Sequence, residues 1–177
     1  SHAFTDDDPA KLMEDDTTLD AVGDLILPRY RLADYDNPRA VHTPTDTKNL
    51  DDIRAGRGNV SGFVRVGLFK RLSSSGHSFI QSLQRQRARN ELFIHAIDHG
   101  LPIPLGSLSD KQIAVTDEDI EGETTLQGSA ATRYDALVSS LPGRTKWVNS
   151  SVFKPTLRKD LVQDNATLTA LLDRFGN

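Results

Sequence analysis

Apolar residues recur three and four positions apart through the middle of the chain, and this period limits the possible folds more than any other feature. The first such stripe consists of Phe63, Val66, Leu68, Phe69 and Leu72. The second consists of Phe79, Ile80, Leu83, Phe93, Ile94 and Ile97. A helix places residues at this spacing on one face, whereas a half-buried strand needs strict alternation. The two stripes therefore predict two amphipathic helices at the centre of the fold.

The ends of these helices carry recognisable signals. Ser61 is predicted to cap the start of the first helix, because its hydroxyl can accept a backbone N–H. The second helix is predicted to end near Gly100, with Pro102 and Pro104 beyond it. Between the helices, segment 73–76 reads Ser-Ser-Ser-Gly. This segment fits either a turn or a polar interruption within one long helix.

The second stripe is broken in its middle by polar residues. There the inward positions fall on Gln86, Arg87 and Asn90. Such long polar side chains can extend to water or meet a partner.

Weaker helical patterns lie on both sides of this centre. They cover a stretch opened by Pro9, segments 47–55 and 130–141, and a terminal stripe from Leu157 to Phe175. Segment 31–47 is interpreted as extended coil outside the core, because Asn-Pro and Thr-Pro pairs mark turns within it. Trp147 and Phe153 are expected to anchor the connection before the last helix. We predict an all-α fold, an irregular bundle of about five helices with a long acidic loop and a mobile N-terminus.

The same patterns divide the chain into four parts. Residues 1–24 are predicted to be an acidic, partly disordered lead-in, and residues 25–106 a basic helical core segment. Residues 107–128 are predicted to be an acidic flexible loop, and residues 129–177 the C-terminal helices that pack on the core.

Composition excludes several classes of protein. There is no cysteine, so disulfides and thiolate chemistry are absent. No apolar run is long enough to span a membrane, and the start of the chain lacks the order of a signal peptide. We therefore expect a cytoplasmic protein with no membrane partner. Because residue 1 is serine and Met13 is the only methionine, we interpret the chain as a fragment of a longer protein.

Motifs for catalysis are missing as well. The sequence has no Gly-x-x-x-x-Gly-Lys-Ser/Thr phosphate loop and no Gly-x-Ser-x-Gly nucleophile turn. We identify no catalytic residue and no cofactor-binding residue, and we expect that the fragment is not an enzyme.

Two clusters have the composition of a metal site. Glu91, His95 and His99 lie four residues apart on one helix face, and two such histidines can chelate zinc. The spacing places no catalytic glutamate between the histidines, and an ordinary polar helix face explains it better. The acidic run 117–119 lacks the offsets of a calcium loop. We therefore predict no metal ligand.

The charge distribution is the strongest functional signal. Eight basic residues and no acidic residue lie between Ile53 and Asn90, whereas the segments on both sides are net acidic. Arginine and lysine gathered on one face can track nucleic-acid phosphates. Alternatively, the cations form a solvated face or pair with the acidic segments 6–24 and 110–123. The basic residues are Arg54, Arg57, Arg65, Lys70, Arg71, Arg85, Arg87 and Arg89.

Three runs in this chain resemble a segment of large bacterial helicase-like proteins, the Swi/Snf-like superfamily 2 ATPases, some of which carry a phospholipase D-type nuclease domain. The runs are Leu-Ile-Leu-Pro-Arg-Tyr-Arg-Leu from residue 25, Gly-Leu-Phe-Lys-Arg-Leu-Ser-Ser-Ser-Gly from residue 67, and Arg-Asn-Glu-Leu-Phe-Ile-His-Ala-Ile-Asp-His-Gly from residue 89. In the family a phrase similar to the second run lies in a helical insertion between two RecA-like motor lobes. Here Ser73 stands where the family usually has glutamate.

The resemblance implies an accessory part of a DNA-dependent ATPase. ATP and Mg would bind to the motor lobes of the parent protein, while this fragment would hold no cofactor. It would contact the backbone of duplex DNA or brace the lobes. Lys70, Arg71, Arg85 and Arg89 are the candidate phosphate contacts, and such contacts position a duplex without reading its bases.

A second hypothesis is a helical protein–protein interaction module with no nucleic-acid role. In this hypothesis the basic face meets an acidic partner or the chain's own acidic loop. The resemblance also implies a competing use of Phe63, Phe69 and the arginines, which is docking on an adjacent lobe of the same parent chain. The isolated fragment would then pair with itself as a homodimer to cover the exposed surface.

Overall fold

The computed structural model describes residues 16–55, 60–106, 128–140 and 146–175. The α-helices of these residues are α1 (Asp16–Asp24), α2 (Pro44–Ala55), α3 (Val60–Ser74), α4 (Gly76–Asp98), α5 (Ala130–Ser140) and α6 (Thr156–Arg174). Short 3-10 turns are found at Pro28–Tyr30, Leu32–Tyr35 and Ser150–Val152. Two short strands, β1 (Pro102–Gly106) and β2 (Lys146–Asn149), form an antiparallel pair with Ile103 opposite Val148. The fold is all-α, as the helical periods predict.

Helix α4 lies at the centre of the molecule. It packs against α3, α5, α6 and β1. Its most extensive neighbour is α6, which runs antiparallel to it, since Asp98 at the end of α4 binds Arg158 near the start of α6. A helix surrounded in this way must bury more than one face, so several of its polar residues are buried as well.

Two apolar clusters make up the core, and α4 and α6 contribute to both. The cluster at the strand end contains Leu92, Phe93 and Ala96 of α4, with Leu157 and Leu161 of α6. The cluster at the other end joins α1, α3, α4 and α6 through the residues Val22, Leu25, Leu27, Leu68, Leu72, Phe79, Leu83, Leu168, Leu171, Leu172 and Phe175. In the second cluster the rings of Phe79 and Phe175 lie 5.3 Å apart at a tilted angle.

A buried polar layer lies on α4 and α6 between these two clusters. Gln86 and Asn90 of α4 both accept hydrogen bonds from the guanidinium of Arg29, at 2.6 and 2.9 Å. Asn90 also donates to Asn165 of α6 at 2.8 Å. The next residue in this layer, Asp164, accepts two backbone N–H groups from the segment before the first 3-10 turn. The polar interruption seen in the sequence of α4 is therefore filled by partners within the chain.

Several local expectations from the sequence need correction. Segment 31–47 is not coil outside the core, because Leu32 and Tyr35 lie in a 3-10 turn and are buried. Helix α2 begins at Pro44, three residues earlier than the expected start at Thr47. Ser61 does not cap α3, because Val60 already belongs to that helix. The antiparallel strand pair was not predicted at all, because both strands are too short to show alternation.

The serine-rich segment 73–76 contains the turn between α3 and α4. The chain turns at Ser75, whose hydroxyl accepts the backbone N–H of Ser78 and so caps the start of α4. Of the two alternatives left by the sequence, the turn is therefore the one observed. Helix α4 ends at Asp98, and Gly100 follows with a φ of +64°, a conformation that glycine adopts without strain.

Other expectations concern residues outside the described part of the chain. The first half of the lead-in and the acidic segment 107–127 belong to this group, as does the helix opening at Pro9. The later part of the lead-in forms α1. The helices predicted over 130–141 and from Leu157 onward are confirmed as α5 and α6 within the residues described.

His42 connects two parts of the turn that precedes α2. Its Nε2 lies 2.6 Å from the carboxylate of Asp36, and its Nδ1 lies 2.7 Å from the carbonyl of Ala40. Both ring nitrogens face acceptors, and only the protonated imidazolium can donate to both. The hydrogen bond to Asp36, followed by the one to Ala40, raises the pKa of His42 above its ordinary value.

We predict that replacing His42 by alanine destabilises the protein more at pH 6 than at pH 9. Because the pKa of His42 is raised in the folded state, its stabilising contribution is complete below the unfolded value near 6.5 and is lost as pH rises through the folded value. Urea unfolding of the wild type and of His42→Ala at the two pH values measures the difference. His77→Ala, which removes an exposed imidazole, is the control. An equal loss at both pH values would show that the charge of His42 contributes nothing.

Candidate nucleic-acid interface

Helices α3 and α4 form a hairpin that carries most of the basic block. Within residues 60–90 the hairpin contains six cationic side chains and no carboxylate. The cations are Arg65, Lys70, Arg71, Arg85, Arg87 and Arg89. We call residues 60–90 the basic hairpin. Its charge is held on packed helices, so its cations have defined positions.

Lys70 is the most accessible of the four candidate phosphate contacts. It lies exposed on the outer side of α3, one turn from the end of the helix. Within the described part of the chain, no carboxylate lies within ion-pair distance of its ammonium. The backbone carbonyl of Lys70 accepts the hydroxyls of Ser73 and Ser74 at 2.9 and 2.8 Å, which satisfies the end of the helix. Its ammonium is therefore available to an external anion.

Arg71 and Arg85 are both half-buried. The guanidinium of Arg71 folds back along its own helix, and its Nη1 donates to the carbonyl of Gly67 at 3.3 Å. The close approach leaves little space at Gly67, where a Cβ atom would lie 3.2 Å from the same nitrogen. Arg85 lies on α4, and among the described residues no acidic group pairs with it.

Arg89 is buried, although the sequence made it a candidate phosphate contact. Its side chain is only 6% exposed, and its neighbours Ala88 and Asn90 are buried as well. The side of α4 that carries these three residues is buried, whereas Arg87 and Glu91 on the remaining side are partly exposed. Arg89 is one of the candidate phosphate contacts, and its burial leaves it inaccessible to a phosphate in this conformation, whereas Arg85 is half-buried.

Arg57 lies outside the described residues, and the remaining described cations of the block serve the fold. Arg54 binds Asp36 at 2.7 Å and Asp51 at 3.0 Å. Arg65 donates to the carbonyl of Leu25 at 2.6 Å and so connects α3 to the segment that follows α1. The next cation, Arg87, donates to the hydroxyl of Thr169 in α6 at 3.3 Å. The block is thus divided between structural cations and the pair Lys70 and Arg85.

Several cations elsewhere in the described chain are neutralised by carboxylates, although the exposed Lys154 and Lys159 have no carboxylate partner within the described residues. Arg133, which is almost fully buried, binds Glu91 at 2.8 Å. Lys146 binds Asp52 at 3.2 Å, and Arg158 binds Asp98 through two hydrogen bonds of 2.6 and 3.1 Å. The basic hairpin contrasts with these sites, because Lys70 and Arg85 have no such partner in the described residues.

The structure also shows a feature of α3 that the sequence pattern misassigned. Phe63 and Val66 were expected on the buried stripe, but they are 62% and 49% exposed. The buried side of α3 is formed by Val60, Leu68 and Leu72. The sequence did contain an indication that some apolar residues of α3 are exposed, since this helix has more of them than one helical face can hold. The side of α3 that carries Phe63 also carries Lys70.

The histidine cluster on α4 does not form a metal site in the described residues. Glu91 is engaged by Arg133, while the rings of His95 and His99 lie 4.3 Å apart and contact each other. The Nδ1 atom of His99 is 2.9 Å from the carbonyl of His95. No group of three potential metal ligands is found among these residues. The acidic run 117–119 lies outside the described part of the chain.

Comparisons with known proteins do not identify the chain. Neither the models of protein families, nor the curated proteins, nor the solved structures give a match. Of the helices that the structure describes, none has the length and apolar character needed to cross a membrane. The functional argument therefore depends on the geometry and charge of the basic hairpin.

Proposed function

We propose that this chain is a helical accessory domain that binds the nucleic-acid backbone through its basic hairpin and serves an ATP-driven motor encoded elsewhere in a longer parent protein. The motor lobes of the parent would bind ATP and Mg and would perform the hydrolysis. The domain would add affinity for duplex DNA and help to orient it. No catalytic step is assigned to the described residues.

The observation that carries this proposal is the composition of the basic hairpin, where six cations and no carboxylate lie on two packed helices. Elsewhere Arg54, Arg133, Lys146 and Arg158 each pair with a carboxylate. In the basic hairpin, Lys70 and Arg85 have no carboxylate partner within the described residues. Positive charge that the fold leaves without a partner attracts polyanions, and each phosphate contact releases counterions from nucleic acid.

The arrangement of the hairpin favours sequence-independent binding. Its available cations are one lysine and one half-buried arginine on two different helices. Such groups contact phosphates and set the orientation of a duplex, but they do not read base edges. An accessory role beside a motor that moves along DNA needs this kind of contact, because a translocating protein must accept every sequence.

We predict that the domain binds a 20-base-pair duplex with an affinity that falls steeply as salt rises. Replacing both Lys70 and Arg85 by alanine should reduce the slope of log K against log salt by about 2, since each phosphate contact contributes about 0.9. Fluorescence anisotropy of a labelled duplex between low and physiological salt measures the slope.

The matched control is the double variant Lys154→Ala with Lys159→Ala. Both of these lysines are exposed near the start of α6, far along the chain from the hairpin, and their removal changes the net charge by the same amount. Equal slopes for the two double variants would contradict a specific role for the hairpin. Absence of duplex binding by the wild type at low salt would favour the protein-interaction module instead.

A further inference from the structure

The outer side of α3 presents an aromatic ring and a cation that has no carboxylate partner within the described residues. Phe63, Val66 and Lys70 follow each other at i, i+3 and i+7, so they share one face of the helix. All three are exposed. At 1.5 Å per residue, Phe63 and Lys70 lie about 10 Å apart along the axis. We call these three residues the α3 outer face.

Phe63 differs from the other exposed apolar side chains. The large apolar residues left exposed in the described chain are Val41, Phe63, Val66, Val138 and Val162. Phe63 is the one aromatic residue in this set. A single exposed valine is ordinary on a protein surface, whereas an exposed phenylalanine places a flat apolar ring in water. Its position on a helix that carries three cations and no carboxylate indicates what kind of molecule would cover it.

We propose that the α3 outer face binds an unpaired stretch of nucleic acid, with a base stacked on the ring of Phe63 and a phosphate held by Lys70. This inference rests on the proposed function and adds an unpaired segment of nucleic acid, beside the duplex, as a ligand of the same basic hairpin. Aromatic side chains beside cations are the usual elements of sequence-tolerant binding to single strands, because every base has a face that can stack.

The geometry favours a single strand over a duplex. In a duplex both faces of each base are already stacked on neighbouring bases, so the ring of Phe63 would find no partner there. The distance of about 10 Å between Phe63 and Lys70 corresponds to about three nucleotides at the 3.4 Å rise of a stacked strand. A short unpaired segment can therefore reach both residues at once. Val66, between them, adds apolar surface against which a sugar or base edge can rest.

The absence of carboxylates from α3 supports a polyanion as the occupant. Within Val60–Ser74 the charged residues are Arg65, Lys70 and Arg71. A nucleic-acid strand satisfies both the charge and the exposed ring. A protein partner would need an acidic surface with an apolar pocket, and the experiment below treats that partner as an alternative outcome.

The test uses a labelled 20-nucleotide oligo(dT) and a blunt 20-base-pair duplex, with binding followed by anisotropy at low salt. Phe63→Ala is expected to weaken binding of the single strand by about 5- to 150-fold, while duplex affinity changes less than about twofold. Phe63→Trp should retain the affinity, because the indole also stacks. Phe63→Leu should lose it, because it keeps apolar surface but no ring.

Two controls distinguish a loss of base stacking from a loss of the folded structure. Val138→Ala removes another exposed apolar side chain, on α5, and should leave both affinities unchanged. Circular dichroism melting should show that Phe63→Ala folds as the wild type does, since an exposed substitution shifts stability by about 0.5 kcal/mol or less. The Phe63→Trp variant should show indole fluorescence in addition to that of Trp147. Oligo(dT) should quench this added fluorescence, whereas the duplex should not.

The outcomes distinguish this inference from the proposed function. If the duplex binds with the expected salt dependence but Phe63→Ala leaves oligo(dT) affinity unchanged, the stacking site is overturned and the proposed function stands. If Phe63→Leu binds as the wild type does, the face is an apolar docking surface and the stacking proposal fails. If the wild type binds neither ligand, the proposed function and this inference fail together. A self-association that Phe63→Ala abolishes, with no effect on oligo(dT), would identify a second copy as the occupant.

Discussion

Replacing Asp164 by alanine is expected to lower the free energy of unfolding by about 2 to 5 kcal/mol. The carboxylate of Asp164 is 2% exposed and accepts the backbone N–H groups of Ile26 and Leu27 at 2.8 and 2.7 Å. Without the carboxylate both N–H groups lose their acceptor inside the protein. Each buried donor left without a partner costs about 1 to 3 kcal/mol.

The local backbone increases the expected loss. Leu27 has a left-handed conformation with φ +57°, which is unfavourable for any residue with a Cβ atom. The two hydrogen bonds to Asp164 hold this conformation and keep Leu25 and Leu27 in the core cluster beside α6. Loss of the carboxylate would therefore release both the strained turn and the packing that depends on it.

Urea unfolding at pH 7, followed by circular dichroism, measures the effect. Asp173→Ala is the control on the same helix, because Asp173 is exposed, and its loss should change stability by about 0.5 kcal/mol or less. If Asp164→Ala and Asp173→Ala unfold at the same urea concentration, the polar layer does not stabilise the fold.

Helix positions could be predicted from the sequence wherever one apolar stripe faces one neighbour. Helix α6 is the clearest example, since its stripe from Leu157 to Leu172 packs on α4 throughout and its predicted extent is observed. For α3 the helix was predicted but its orientation was not. Two apolar stripes compete there, and the choice between them depends on where α1 and α4 lie.

Polar residues were harder to assign, because their partners are distant in the chain. The sequence showed that Gln86 and Asn90 interrupt an apolar face, but not that Arg29 would reach them from about sixty positions away. Arg89 was expected at the surface by charge alone, and the burial of its side of α4 overrides that expectation. Of the candidate site, the sequence therefore predicted the basic hairpin and Lys70, whereas the exposure of Phe63 depends on tertiary packing.

Replacing Asp46 by alanine is expected to cost about 2 to 4 kcal/mol. Asp46 lies in the first turn of α2, where its carboxylate accepts the backbone N–H of Thr43 at 3.0 Å, and the hydroxyl of Thr43 accepts the N–H of Asp46 at 3.0 Å. This reciprocal pair is a capping box. The same carboxylate also accepts the backbone N–H and the side-chain amide of Asn149, both at 3.0 Å, at the end of β2. Its loss removes the cap and two of the hydrogen bonds that join β2 to α2, while the pair of Lys146 with Asp52 remains.

Asp46 and Asp164 are both shielded from solvent, and folding shifts their pKa values in opposite directions. Burial raises the pKa of Asp164, and this effect exceeds that of its two backbone N–H donors. Burial also raises the pKa of Asp46, but the hydrogen bonds from Asn149 and Thr43 together outweigh it and hold that pKa below its ordinary value. The ionised form is therefore favoured by folding at Asp46 and disfavoured at Asp164.

The two asparagine variants should consequently differ in their pH dependence. The stability contributed by ionised Asp46 is present above its unfolded pKa near 3.9 and is lost as pH falls through the lower folded value. The gap in the free energy of unfolding between the wild type and Asp46→Asn should thus have its full size at pH 7 and should narrow below pH 4. For Asp164, whose folded pKa is raised, the wild type gains stability as pH falls from 7 toward 4, and the gap to Asp164→Asn should widen.

Urea unfolding of the wild type and the two variants, at intervals between pH 7 and the onset of acid unfolding, measures both gaps. Subtracting the free energy of unfolding of each variant from that of the wild type cancels the titration of all other groups, including Asp36 and Asp98. If the two gaps change with pH in the same direction, then the hydrogen bonds to Asp46 do not outweigh the cost of burying its charge. In that case the junction of α2 with β2 would be held by its other contacts, such as the pair of Lys146 with Asp52, and Asp46→Asn should cost little at any pH.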